Sequence, residues 1–288
     1  MNFVLHGTVG PSGQNHPEDV RLVRALLNVH RRRVNNPVLP IWATTDPELF
    51  AAIARFQVAQ GASVASGTVA PQGGAWQGLL TSLAASRTVL SVVPPARGRL
   101  TWDAEGQEGG RFHSRVLHVR TASSGLTLGR GYDFREHSRV EVQQQLTHAG
   151  VDPSDAASLS GGARLVGHAA ERFIVNSDLL DFEVSPGCQL RLFEAVYAEM
   201  ENDVQQICAA RDVVVTYGAI DWRQLDARIK ETLVDLRCRG DYTEASRRHI
   251  QAHVARNDLS AFARTMSDRA IWAAVPSDRF ERRKQFLA

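Results

Sequence analysis

The chain has 288 residues, 43% of them hydrophobic and 22% charged, the balance of a globular protein with room for two domains. Its 33 basic and 31 acidic residues leave a formal net charge of +2, so a nucleic-acid partner is not expected. No stretch approaches the roughly 18 apolar residues of a membrane span, and the start MNFVLHGTVGPSGQNHPEDV lacks the basic and apolar regions of a signal peptide, so neither membrane insertion nor classical export is expected.

Residues 15–30, NHPEDVRLVRALLNVH, open with Pro17 near the first helical position and Glu18 and Asp19 in the first turn. Val20, Val23, Leu26 and Leu27 then form an apolar stripe at helical spacing. The trio Arg31-Arg32-Arg33 falls at the end of this pattern, where cations meet the negative end of the helix dipole, and it reads as a cap rather than a binding patch. A second helix is expected from Asp46-Pro47, carrying Leu49, Ala52, Ile53 and Phe56 on one side. After Gly61, GTVAPQGGAWQGLL predicts a short extended hairpin and a final turn anchored by Trp76 and Leu79. Residues 1–85 thus form a small helical bundle, and 86–99, stiffened by Pro94-Pro95 and released by Gly98, reads as a linker to a second domain at 100–288.

The second domain is expected to be α+β: an N-terminal helix near residue 100, a small β-sheet within 110–133, and a mostly helical C-terminal lobe. Helices are predicted at 140–149, 163–175 and 187–210, the last with Leu190, Phe193, Tyr197, Met200, Val204 and Ile207 recurring at three and four. Asp221-Trp222 is expected to cap a helix through Leu225, Ile229, Leu233 and Leu236, ended by Gly240. Shorter helices follow near 243–256, 258–265, 267–274 and 278–287. Cys188, Cys208 and Cys238 are odd in number and lack CxxC spacing, which favours buried free thiols over zinc or a disulfide framework.

Several chemistries lack their residues. SGLTLGRG has no P-loop lysine, there is no G-x-S-x-G elbow, and His113, His118 and His137 fall in no metal-ligand spacing, so neither cofactor nor metal is expected. The carboxylates remain. Trp102 precedes Glu105 and offers an apolar wall, and a carboxyl that loses hydration favours its protonated form, as a general acid needs. Glycosidic cleavage requires such an acid and a second carboxylate for the water or the developing cation. Asp133 is the candidate partner, on a hairpin whose Gly129 and Gly131 allow close backbone approach, and the Thr127 hydroxyl can orient a water. Glu108 is the reserve acid, and Arg130, Tyr132, Asp241 and Tyr242 are candidate substrate-lining groups.

Two segments carry family likenesses. PEDVRLVRALLN at 17–28, AIARFQ at 52–57 and GTVAPQGGAWQGL at 67–79 resemble a peptidoglycan-binding domain of the kind attached to cell-wall hydrolases, although LPIWATTDPEL replaces the usual Asp-Gly turn before the second helix. WDAEGQEGG at 102–110, HSRVLHV at 113–119 and SSGLTLGRGYDF at 123–134 resemble phage-type lysozymes, especially the muramidase domain of pesticin-like toxins. That resemblance implies Glu105 as general acid, with Thr127 and an aspartate handling the water. Phage lysozymes carry the aspartate six residues before the threonine, where this chain has Thr121, and Asp133 stands six after. The joint expectation is a muramidase that cuts the bond between N-acetylmuramic acid and N-acetylglucosamine, tethered to its polymer by the first domain. It would act in the cell wall as a phage endolysin released by a holin, or as a secreted antibacterial effector with a cognate immunity protein. The alternative is a wall-binding protein with a degenerate lysozyme fold. An enzyme cutting a peptide or amide bond would lack its zinc or cysteine site.

Overall fold

The computed structural model describes residues 3–110 and 112–288. The order of elements is α1 (Pro17–Arg33), α2 (Pro47–Ala59), α3 (Gly74–Ala85), α4 (Arg99–Glu105), β1 (Thr127–Leu128), β2 (Tyr132–Asp133), α5 (Arg139–His148), α6 (Pro153–Leu159), α7 (Gly167–Asn176), α8 (Pro186–Ala209), α9 (Arg211–Tyr217), α10 (Ala227–Arg239), α11 (Glu244–Ala255), α12 (Leu259–Met266) and α13 (Ser277–Leu287). The fold is a mostly helical α+β arrangement with one antiparallel two-stranded sheet among the described residues. Among the same residues, no helix is long and apolar enough to cross a membrane.

The chain divides into two compact units that do not follow sequence order: Met1–Val92 with Gln107–Gln189, and Val93–Gly106 with Leu190–Ala288. The expected linker, 86–99, carries neither helix nor strand until α4 begins, and the division between units falls inside it.

In the first unit, α1 packs on α2, α3 and α7. Val20, Val23, Leu26 and Leu27 are buried as their spacing requires. The same helix also buries Arg24 and Asn28 completely, because both grip the following loop. Arg24 donates to Pro40 O at 3.3 Å, Thr44 O at 2.9 Å and Asp46 Oδ2 at 2.6 Å. Asn28 exchanges two hydrogen bonds with the Leu39 backbone, at 2.8 and 2.6 Å. The arginine trio does more than meet a helix dipole. Arg31 donates to Pro37 O at 2.5 Å, Arg32 pairs with Asp178 and with Asp181 at 2.8 Å, and Arg33 reaches Ser82 O at 3.4 Å. These α1 contacts with Asp178 and Asp181 show why the N-terminal bundle clusters with the 107–189 segment.

The extended segment expected after Gly61 forms no hairpin of its own; Val69 instead pairs with Val9 through two backbone hydrogen bonds at 2.8 and 2.9 Å. In place of a single final turn the chain forms the 12-residue helix α3, with Trp76 and Leu79 buried. Among its described residues, the 110–133 region holds only the short β1–β2 hairpin and isolated bridges, including His118 with Thr127 and Gly125 with Val166.

In the second unit, α4 packs on α10 and α13, far from it in sequence. Trp102 and Phe193 meet edge to face at 5.0 Å, and Phe193 continues to Tyr197 at 5.8 Å. α10 starts one turn later than expected. Asp226 caps it, with its side chain accepting from Arg228 N, whereas Asp221 accepts from Arg223 N in a separate turn. Gly240, at φ 85°, ends it as the sequence indicates. Residues 267–274 are turns rather than a helix, closed by Trp272 Nε1 donating to Thr265 O at 3.0 Å. Cys188 and Cys208 are buried and Cys238 half-buried, all as free thiols.

Candidate active site

The hairpin TLGRGYD brings two of the sequence candidates together. β1 and β2 pair antiparallel with Thr127 opposite Asp133 and Leu128 opposite Tyr132. Residues directly opposite across an antiparallel pair project from the same face of the sheet, so Thr127 and Asp133 share a face. The three-residue connection places Gly129 at φ 65° and Gly131 at φ 95°, values that L side chains rarely adopt. Thr127 is buried, and its hydroxyl lies 3.4 Å from Gly125 O. The Asp133 carboxylate accepts from Arg135 N at 2.9 Å and caps the single turn Phe134–Glu136. Its Oδ1 lies where a side chain on Gly125 would stand, since a Cβ there would meet it at 1.9 Å. Glycine at 125 is therefore a condition for the seating of Asp133. Thr121, where phage lysozymes carry their aspartate, is exposed, and its hydroxyl is 2.8 Å from Ser124 Oγ.

Glu105 lies in the other unit, at the last position of α4, where Gly106 ends the helix with extended backbone. Its side chain is 8% exposed. Trp102, the apolar wall expected from sequence, meets Phe193 in the core, and the Glu105 carboxylate accepts from Arg279 Nη1 at 2.9 Å. The local environment therefore includes an ionic partner that the sequence pattern around Glu105 does not supply. Arg279 is itself fixed by Asp235, through Nε at 3.1 Å and Nη2 at 2.5 Å. Burial disfavours the Arg279 charge, but Asp235 and Glu105 outweigh it and hold the guanidinium above its ordinary value. Arg283 continues the chain of charges, donating to Asp235 Oδ2 at 2.6 Å and Asp241 Oδ2 at 2.8 Å, and Asp241 also pairs with Arg239.

The remaining candidates divide between surface and core. Asp241 borders a shallow cavity of about 240 Å³ with Thr243, Ser246, His249 and Trp272. Tyr242 is not a lining group: it is buried, its hydroxyl donates to Gln251 Oε1 at 2.6 Å beside Cys208 Sγ at 3.3 Å, and burial pushes the phenol above its ordinary value. Arg130 and Tyr132 are also buried. Tyr132 donates to Gln145 Oε1 at 2.5 Å and stacks on His137 at 5.3 Å, which makes it a support of the hairpin rather than a surface.

Glu108, the reserve acid, belongs to a separate buried cluster in the first unit. It accepts from Arg115 Nε at 2.9 Å and Gln189 Nε2 at 3.2 Å. Arg115 also approaches Glu183 at 3.4 Å, and His113 Nε2 lies 2.7 Å from the other Glu183 oxygen. Gly109 N–H donates to His113 Nδ1 at 2.8 Å, so the proton of the neutral ring sits on Nε2. Burial holds this imidazole below its ordinary value, against the pull of Glu183 and Glu108.

Sequence reasoning missed Arg279, Asp235 and Arg283. Their signals were present: two arginines four apart in RFERRKQF, and an acid inside the apolar run LVDL.

A comparison with curated proteins finds no match. Residues 98–284 match the family described as "Domain of unknown function (DUF8812)". The match takes in α4, the hairpin and nearly all of α13, well over half of the chain, and the protein belongs to that family.

Proposed function

We propose that the protein is a peptidoglycan hydrolase, a muramidase that cleaves the β-1,4 bond between N-acetylmuramic acid and N-acetylglucosamine. In this reading Glu105 protonates the leaving oxygen, and Thr127 and Asp133 orient and activate the water. The observation that carries it is the register of the hairpin. Thr127 and Asp133 stand opposite each other on one face of the hairpin, which supports an aspartate six residues after the threonine as its partner in handling the water. The sequence likenesses of the N-terminal bundle and of the 100–288 segment point independently to one polymer, and peptidoglycan is then both substrate and anchor. Action as an injected effector would add a cognate immunity protein as partner.

Digestion of purified sacculi tests the reading. The wild type should release muropeptides ending in reducing N-acetylmuramic acid, and Glu105→Gln should lower that release by about 100-fold or more. Intact glycan strands after wild-type treatment would refute it.

One observation favours a second reading, a wall-binding protein without catalysis. Glu105 accepts from Arg279 and Asp133 caps a turn, so both acids also have structural partners. Retention of the wild type on sacculi with no release of soluble fragments would select it.

A further inference from the structure

We infer that Asp235 is a positioning residue for Glu105, acting through the plane of the Arg279 guanidinium. The inference rests on the proposed muramidase reading and adds a residue to it. Asp235 is completely buried on α10, and burying a carboxylate is costly unless it is paired and hydrogen-bonded. It accepts Arg279 Nη2 on Oδ1 at 2.5 Å and Arg279 Nε on Oδ2 at 3.1 Å. That two-point grip fixes the orientation of a rigid planar group. With the Nε–Nη2 edge committed to Asp235, the remaining nitrogen, Nη1, has a set direction, and it points at Glu105 Oε1, 2.9 Å away. The last turn of α4 and the first turn of α13 are thereby registered through one buried carboxylate on α10.

Asp235 is in turn held from its other side. Arg283, one helical turn beyond Arg279 and 1% exposed, donates from Nε to Asp235 Oδ2 at 2.6 Å and from Nη2 to Asp235 O at 3.4 Å. Its Nη1 holds Asp241 at 2.8 Å, and Asp241 also takes Arg239. The series Glu105, Arg279, Asp235, Arg283, Asp241, Arg239 alternates acid and base, so formal charges cancel along it. Such a ladder, with Asp235 and Arg283 at its centre almost wholly buried, keeps a carboxylate in one place. Placement matters because a displacement of about 1 Å at a reacting group can cost about 100-fold in rate.

The test compares full-length wild type, Asp235→Asn, Asp235→Glu, Arg279→Met and the paired variant Asp235→Asn/Arg279→Met on sacculi and on soluble glycan strands. Unfolding midpoints are measured for each. In Asp235→Asn, kcat should fall about 10- to 100-fold with KM within about 2-fold, because Asp235 touches no substrate. Asp235→Glu should recover part of the loss. The pH–rate profile carries the signature that mere loosening of the fold would not give. Asp235→Asn leaves an excess cation beside Glu105 and should move the alkaline limb to lower pH, whereas Arg279→Met removes one and should move it to higher pH.

If Asp235→Asn fails to fold, the paired variant, which deletes one charge of each sign, still has to show the kcat loss. Wild-type kcat and an unmoved profile in folded Asp235→Asn would overturn the inference and leave the muramidase reading standing. A wild type that releases no muropeptides would overturn both.

Discussion

Replacing Asp178 by asparagine removes one partner of an ion pair, yet the variant should be at least as stable as the wild type near neutral pH. Asp178 follows α7 at φ 56°, a left-handed position that asparagine tolerates as readily as aspartate. Its Oδ2 accepts from Arg32 and, at 3.0 Å, from Asn28, whereas its Oδ1 is buried with no hydrogen-bond partner among the described residues. The side chain is 20% exposed. Burial is the largest influence and pushes the carboxyl from 3.8 up to about 6, with Arg32 and Asn28 pulling downward and Asp181 adding to the rise. That difference corresponds to about 3 kcal/mol.

The sign comes from proton counting. Between 3.8 and about 6 the folded state binds more protons at Asp178 than the unfolded chain does, so this group's contribution to stability is lost as pH rises through that window. Asparagine places an amide where Oδ1 was and keeps one oxygen for Asn28 and Arg32, and Arg32 retains Asp181 at 2.8 Å. Urea unfolding of both proteins across about pH 4 to 7.5 should show the variant ahead by about 1–3 kcal/mol at the upper end, with the gap closing toward pH 4. A variant weaker by more than about 1 kcal/mol at neutral pH, with the deficit shrinking on acidification, would show that the Arg32 pair outweighs burial and would refute the reasoning.

Gly125→Ala should destabilise by about 1–3 kcal/mol in chemical unfolding, because the new Cβ would stand 1.9 Å from Asp133 Oδ1 and 2.6 Å from Arg135 Cβ. Muropeptide release should fall with it as Asp133 leaves its seat; wild-type stability would mean the hairpin yields at no cost. For His113, whose folded imidazole is held below its ordinary value, stability should be lost as pH falls below about 6.5, where the unfolded ring takes up a proton. His113→Gln should flatten the wild-type decline in unfolding free energy below that pH, and parallel curves for the two proteins would remove His113 as its source.

The range of each interaction decided whether the sequence disclosed it. The stripe in α8 is local, repeating at three and four, and the helix appears within one residue of its expected ends. The Thr127–Asp133 pairing is also local, since the two glycines between them fix the turn and the turn fixes the register. α9, RDVVVTY, escaped notice because three consecutive valines favour strand over helix and its seven residues show too little periodicity to outweigh them. The surroundings of Glu105 were the largest omission. Trp102, three residues away, was the nearby candidate for a partner, but an aromatic ring on a helix packed against two others is spent on the core. One group that holds Glu105, Arg279, comes from 174 residues away. Such a partner can be read only indirectly, from residues whose type conflicts with their position. Asp235 sits between Val234 and Leu236, which are both buried, and an acid there must have cations to meet it. Arg279 and Arg283, four apart on one face of α13, are those cations, and their pairing with Asp235 leaves one guanidinium nitrogen over for Glu105. The misplaced acid in the C-terminal helices was thus the most informative sign of how the acid at the end of α4 is held.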